Sequence, residues 1–547
     1  MNMEVGSENK NMPPDDSKLD SGCPGATFDS IEHGETVMET NLNRDFGVWG
    51  VLSVSWNIVN IFGGTSYIFV VGFSAGGMPA ILYGFIGACV GLISVIGILA
   101  ECASIFPTAG GAYHFSTFLA PEKYRRYIGY PLGWLNFLGW VLTIAACASI
   151  ATGLTFSVAI LTHPEYVVGG RWHLFLVYVG WVLVAWLVNL YLLGLLDKIE
   201  NVGFIINVLG FVGFTIALLV KAPKSSANLV FVDVINETGY SSSAIAVVLG
   251  LYNSLISFVC LDAACHLAEE VKSPTKEVPK ILWITWASQS IVGIVWIMVI
   301  GFSIKELDPV INTPTGVPVV ELMRQSLSSN GAAIAFNMIL LINYVMATTA
   351  ATITSSRQGY ALARDGGLFF KHSLTKVDQK LKVPTLSVCL ASFVAILVGI
   401  VYLFSTQGFN AILGAGAGFM LLSYSSPALM MLIFGRKNLP KTPYSLGRYG
   451  YFLCVISVIY SLFANAIVLI PGASPVTAKD MNYTCLLYGS FFILIIANWI
   501  FDARKSYRPP SIGEFLEAVV PEDEEQICDL AGRSEIEDRG SAIVQTV

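Results

Sequence analysis

Twelve stretches of the chain are apolar over about twenty residues, and polar residues gather between them and at both ends. A helix rising about 1.5 Å per residue crosses a hydrocarbon core of about 30 Å with such a stretch. Lipid offers no partners to backbone groups, so open strands are excluded. The pattern predicts spans at 48–73, 80–105, 130–160, 174–194, 200–220, 243–264, 281–303, 332–353, 385–405, 409–434, 449–470 and 485–502. Several are too long for a straight crossing, which predicts tilt or interruption.

Composition agrees with this reading. Charged residues are 13% of the chain and hydrophobic ones 54%, against about 25% charged in a soluble domain. With the N-terminus inside, the inner loops and the near C-terminal flank hold 20 of the 31 Lys and Arg, and the outer loops hold 6. That bias follows the positive-inside rule, and one missed span would scramble it. Two glycosylation sequons, at Asn236 and Asn482, fall in predicted outer loops.

Residues 1–45 and 506–547 are acidic and polar and read as disordered cytoplasmic tails around a permease domain at 46–505. The tails supply the net charge of −7, which therefore implies nothing about nucleic acid. The first 44 residues lack a cleavable-signal pattern, so the first span is expected to direct insertion, into the plasma membrane, with both termini cytoplasmic. The ten Cys are scattered and read as small apolar residues.

A carrier needs a polar site at mid-membrane, commonly supplied by interrupted helices. Span one carries Asn57, Asn60, Gly63, Gly64, Thr65 and Ser66 near mid-depth. The glycines permit unwinding, and the N–H groups of a half-helix would favour an anion. Close helix packing is the structural alternative. Span six carries Asn253, Ser254, Ser257, Phe258 and Asp262, with no glycine after Gly250. A site and polar contacts between helices weigh equally there.

Acids near the membrane are costly and raise a functional question. Glu101 and Asp262 are the candidates for proton coupling; for Glu101 a structural role as acceptor in the adjoining Gly-rich loop carries more weight. Asp262, His266 and Glu270 share a helix face, but nothing closes a metal ligand set. Trp134, Trp140, Trp181 and Trp186 could join an ammonium cage only if they converge, which a sequence does not show.

Three loop motifs then become recognisable. Glu101 with Pro107–Tyr113, Asp262–Val271 followed by Pro279, and Ser355–Leu368 followed by Pro384 resemble the loops after spans two, six and eight of the amino acid–polyamine–organocation superfamily. Trp56-Asn57, Asn60 and the Gly76-Gly77 turn resemble its fungal amino acid/choline transporter family, which includes choline and γ-aminobutyrate permeases. The resemblance covers about residues 45–505. It implies an all-α membrane protein of about twelve helices, a five-plus-five inverted repeat (LeuT-like) with two extra C-terminal helices. It also implies alternating access, proton-driven uptake without a cofactor, and substrate contacts in spans one, three, six and eight. Two departures stand out. Leu261 replaces the glycine often found before the acid of span six, and span five has no lysine, only Glu200, Asn201 and Asn207 as polar residues.

The expected activity is secondary import of a small amino compound. An amino acid or γ-aminobutyrate stands slightly ahead of choline. Its carboxylate is expected at Gly63–Ser66 and its ammonium against Phe258 and the polar groups of spans six and eight, with Asn253 and Ser257 the candidates in span six. A nutrient sensor on the same fold is the competing class. A membrane enzyme would need a nucleophile or metal set, and a pump a Walker loop; the sequence offers neither.

Overall fold

A computed structural model describes residues 47–510, apart from 379, 382, 437, 438, 440, 441 and 478–480 and the side chains of Asn253, Ile256, Thr406 and Gln407. The expected tails, 1–45 and most of 506–547, lie outside the described residues. Among the described residues, ten helices are long and apolar enough to cross a membrane. They coincide with ten of the expected spans. The other two, spans one and six, are interrupted.

Spans two to five are Gly77–Ile105, Glu122–Thr162, Arg171–Tyr191 and Leu193–Lys221. Spans seven to ten are Pro274–Phe302, Asn330–Arg364, Thr385–Phe404 and Thr406–Phe434. Spans eleven and twelve are Gly450–Val468 and Thr484–Asn498. Spans three and eight outrun the apolar stretches that announce them. Polar turns at 122–129 and 354–364 continue the helix where hydropathy stops, because helical hydrogen bonding does not depend on lipid.

Span one consists of three pieces, Val48–Val59, Ile61–Tyr67 and Phe69–Ser74. Span six is a helix at Ser243–Ile256, an irregular stretch to Asp262, a short helix at Ala263–His266 and a 3₁₀ turn at Ala268–Glu270. Span three packs on spans eight and ten, and span two on spans seven and eleven and the helical half of span six. The first piece of span one packs on spans five, seven and eight. The two interrupted spans thus lie inside a frame of continuous ones. Spans one and two join at Gly76-Gly77, both at positive φ, where a Cβ on Gly77 would come within 2.8 Å of the Asp233 carbonyl oxygen. Only glycine fits so close to the 233–236 segment.

Candidate functional site: two interrupted helices around one cavity

Span one breaks at Asn60 and not at the glycines. Asn60 has φ 40° and ψ 52°, a left-handed conformation that Asn tolerates better than most residues. Its side chain makes the break hold. Asn60 Oδ1 accepts from Gly63 N at 3.2 Å and from Asn207 Nδ2 of span five at 2.9 Å. Gln289 of span seven bridges the gap, accepting from Ile61 N at 3.1 Å and donating to the Trp56 carbonyl at 3.0 Å. The protein's own amides therefore occupy two of the first three N–H groups of the second piece. Gly63 is the space that admits Asn60: a Cβ there would lie 2.5 Å from Asn60 Nδ2.

Span six breaks differently. Cys260 has φ 79°, and its N–H donates to the Tyr424 hydroxyl of span ten at 2.9 Å. Tyr424 in turn donates to Asp262 Oδ1 at 2.6 Å. Asp262 Oδ2 accepts from Asn136 Nδ2 at 3.3 Å and lies 2.8 Å from His266 Nε2. Trp140 Nε1 donates to that same nitrogen at 3.0 Å, and His266 Nδ1 lies 2.7 Å from the Ala109 carbonyl, an acceptor only. Asp262 and His266 are fully buried. The irregular stretch is thus fixed by side chains of spans three and ten.

Between the breaks lies a cavity of about 620 Å³. Asn60, Gly64, Ser257 and Cys260 line it, together with Tyr67, Tyr252, Tyr344 and Tyr402, and among the described residues none that lines it is charged. The rings of Tyr67 and Tyr344 stand 6.3 Å apart at 61°. A Cβ on Gly64 would sit 3.9 Å from the Tyr344 hydroxyl, so this glycine faces the pair across open space. A second cavity of about 400 Å³ shares Val71, Tyr252 and Asn410 with the first. Its rim includes Glu237, Thr238, Ala473 and Asn482, from loops on the side opposite the three motifs.

The expected site residues divide. Asn60, Gly64 and Ser257 line the cavity. Gly63 does not, because it packs on Asn60. Thr65 and Ser66 donate to the carbonyls of Ile61 and Phe62 at 2.6 Å, the usual fate of a hydroxyl inside a helix. Phe258, the expected ammonium contact, stacks on Phe85 at 5.1 Å and is not among the residues lining the cavity. The side chain of Asn253 lies outside the described residues. The tryptophans also differ from a cage: Trp134, Trp140, Trp181 and Trp186 each donate an indole N–H inside the bundle. The aromatics lining the cavity among the described residues are tyrosines, which sequence reasoning missed together with Gln289; Asn207 it named only as a polar residue of span five. Polar residues in the middle of spans five and seven were the available signal.

Glu101 contacts a different loop from the one expected. Its Oε1 accepts from Ser445 Oγ at 3.0 Å and Leu446 N at 2.9 Å and pairs with Arg436, so it clamps the loop before span eleven. Of the acidic face shared with Asp262 and His266, Glu270 is drawn off by Arg357 at 2.6 Å. Both sequon amides are engaged: Asn236 donates to Tyr240 O at 2.8 Å and Asn482 to Val468 O at 2.7 Å.

The three motif loops meet beneath the cavity. Arg357 pairs with Glu270, and Arg364 with Glu269 at 3.3 Å. Glu269 also accepts from Ala109 N at 3.0 Å. The Arg364 charge and the Ala109 N–H thus compensate the buried Glu269 carboxylate. His114 and Tyr113 each reach Asp365 at 3.0 Å. Gly111 has φ 59°, and a Cβ there would lie 2.8 Å from His266 Cε1, which explains a glycine in this motif. None of the three motif loops is among the residues lining the cavity.

These motifs and the two broken spans are what a transporter family would share, and the amino acid permease family model matches residues 46–491. The chain belongs to that family. It is 31% identical over 474 residues to a choline transporter of Saccharomyces cerevisiae, covering 86% of this chain and 83% of that protein. It is 24% identical to an amino-acid permease of Arabidopsis thaliana, covering 86% and 93%. In fold it is similar to a manganese transporter of Eremococcus coleocola, with a TM-score of 0.51 at 13% identity, covering 86% of this chain and 95% of that one. The permease is therefore an all-α, multi-pass membrane transporter with the five-plus-five inverted-repeat fold, and spans one and six open the two repeats.

Proposed function

We propose that this permease imports a small organic amine of the choline type, driven by protons, through alternating access around the cavity between spans one and six. One observation carries the reading: Tyr67 and Tyr344 converge on a cavity that, among the described residues, no charged group lines. A cation in such a place is held by ring faces. The C-terminal end of Val48–Val59, the negative end of its dipole, points the same way. Two of the three opposing N–H groups, which would attract a carboxylate, are already taken by Asn60 and Gln289. The likeness to a choline transporter agrees.

An amino acid or γ-aminobutyrate is the second reading. Gly64 favours it, since it leaves the backbone of the second piece open to the cavity. In either case Asn60, Gly64 and Ser257 are the proposed substrate contacts, while Gly63, Thr65 and Ser66 support them. The basic loops and both termini face the cytoplasm in this proposal, the membrane is the plasma membrane, and the outer cavity is the entrance.

Uptake of labelled choline, γ-aminobutyrate and a panel of amino acids, in cells lacking their own permeases, tests it. Saturable choline uptake that falls with an uncoupler is expected. No uptake of any compound, despite surface expression, would refute the carrier; uptake indifferent to the uncoupler would refute proton coupling.

A further inference from the structure

A polar seam runs between spans one and five. Ser53, Asn57 and Asn60, spaced by four and three, lie on one face of the first span. Opposite them are Asn201, Glu200 and Asn207. Ser53 Oγ donates to Asn201 Oδ1 at 2.6 Å, and Asn57 Nδ2 to Glu200 Oε2 at 2.7 Å. Asn207 donates to Asn60 Oδ1 at 2.9 Å. The middle rung is doubled, because Asn57 Nδ2 also reaches the Glu200 carbonyl at 2.8 Å. Gly203 makes room for it: a Cβ there would come within 3.0 Å of Asn57 Nδ2.

Glu200 is the exception in this seam. It is 0% exposed, and its Oε1 has no hydrogen-bond partner among the described residues. No ion pair among the described residues reaches it. The helical pieces of span one carry no charged residue. On span seven the charges are Lys276, Glu277 and Lys280, in its first turns. On span eight Arg357 is committed to Glu270 and Arg364 to Glu269. Arg171 and His173 of span four, and the Glu321–Arg324 pair of the helix Pro318–Leu327, lie at the opposite end of the bundle. Asp197 and Lys198 remain, within a turn of it on the same helix towards the basic face; Lys198 is exposed, and Asp197 accepts from Asn201 Nδ2 at 3.4 Å. An isolated, fully buried carboxylate costs far more than one amide donor returns, so the acid is neutral while the seam is closed.

We propose that Glu200 is the proton-binding site of the transport cycle. The proposal rests on the proton-driven reading above and names its residue. With the basic face sealed, Glu200 Oε1 gains a proton from hydronium arriving by way of the cavity and Asn60. When spans one and five part on the basic side, water replaces the rungs, the O–H bond breaks, and the proton passes to that water along the side marked by Asn201 and Asp197. The protonated acid favours the closed seam, and its loss favours the open one. Asn60 joins the two events, since it sits both in the seam and on the cavity wall. Asp262 and Glu101, the acids more conspicuous in the sequence, are each held by several donors.

The test uses the full chain in proteoliposomes, with labelled choline and γ-aminobutyrate as probes. Wild type should accumulate a probe when the outside is acidified, and E200Q should exchange it across the membrane but lose that accumulation by at least tenfold. E200Q that still accumulates under the gradient would overturn the assignment. Wild-type transport without gradient dependence would instead overturn proton coupling itself. Should E200Q not fold, E200D serves: its uptake should follow a shifted pH profile, and an unchanged profile would overturn the proposal. Infrared difference spectroscopy needs no substrate. The carboxylic-acid C=O band of the wild type at neutral pH should be missing from E200Q, or displaced in E200D, and its persistence in the variant overturns the proposal.

Discussion

The two interrupted spans reach the same end by different means. Span one breaks in its first half at one residue, Asn60, and amides complete that break: its own, that of Asn207 and that of Gln289. Span six loses its helix over several residues around Cys260 and is completed by a hydroxyl, a carboxylate and an imidazole. Neither break falls on a glycine; both place a non-glycine residue at positive φ. Side chains of the surrounding frame satisfy the freed backbone groups. A membrane helix can therefore be broken wherever neighbours supply donors and acceptors. Glycine then serves for clearance, as Gly63 does for Asn60 and Gly111 for His266.

Substitutions can break this comparison one side at a time. The largest effect is expected at the base of span six. Arg357→Met leaves Glu270 buried and uncompensated, a loss of about 3–5 kcal/mol. A steep fall in the thermal unfolding midpoint in detergent is expected, and a midpoint within a degree or two of wild type would mean that the ion pair is not part of the closed state. Next come the completing side chains. Gln289→Leu strands the Ile61 N–H, and Tyr424→Phe strands the Cys260 N–H; each should cost about 1–3 kcal/mol. If the breaks are independently supported, the double variant should lose the sum of the two, and marked non-additivity would show that they are coupled.

Gly63→Ala and Gly64→Ala form a sharper pair. The first forces Asn60 aside at a cost of about 1–3 kcal/mol and should abolish uptake. The second meets only the Tyr344 hydroxyl at the edge of contact, so the protein should remain folded with altered substrate affinity. Equal behaviour of the two would return the substrate to Gly63. The smallest effect is expected at Cys260→Gly, where about 1 kcal/mol of relief in the left-handed backbone is offset by the lost packing of the buried thiol, so the unfolding midpoint should stay close to wild type.

Much of this was legible in the sequence. Hydropathy placed twelve spans, and polar residues and glycines within them drew attention to spans one and six, the two that are not continuous helices, although the break of span one was expected at the glycines and that of span six stood level with polar packing. The three loop motifs converge as one buried network. What hydropathy did not reveal was direction. Phe258 and Ser257 are neighbours in the chain, yet one stacks on Phe85 and the other lines the cavity. An irregular stretch has no period from which facing could be read. Tyr67 and Tyr344 are remote in sequence among many aromatics, so their convergence depends on how spans one and eight pack. Glu101 was visible as an acid, but its partner Arg436 comes from a loop more than three hundred residues away.

Binding of labelled choline to the purified permease, wild type and Gly64→Leu, by scintillation proximity tests the central claim most directly. A leucine there fills the space in front of Tyr344 without touching the seam, the Asn60 bonds or the basic-face network. The account predicts saturable binding by wild type and none by the variant, at an unfolding midpoint close to wild type. Undiminished binding by the folded variant would contradict it, because the substrate would then lie outside the cavity between the two breaks.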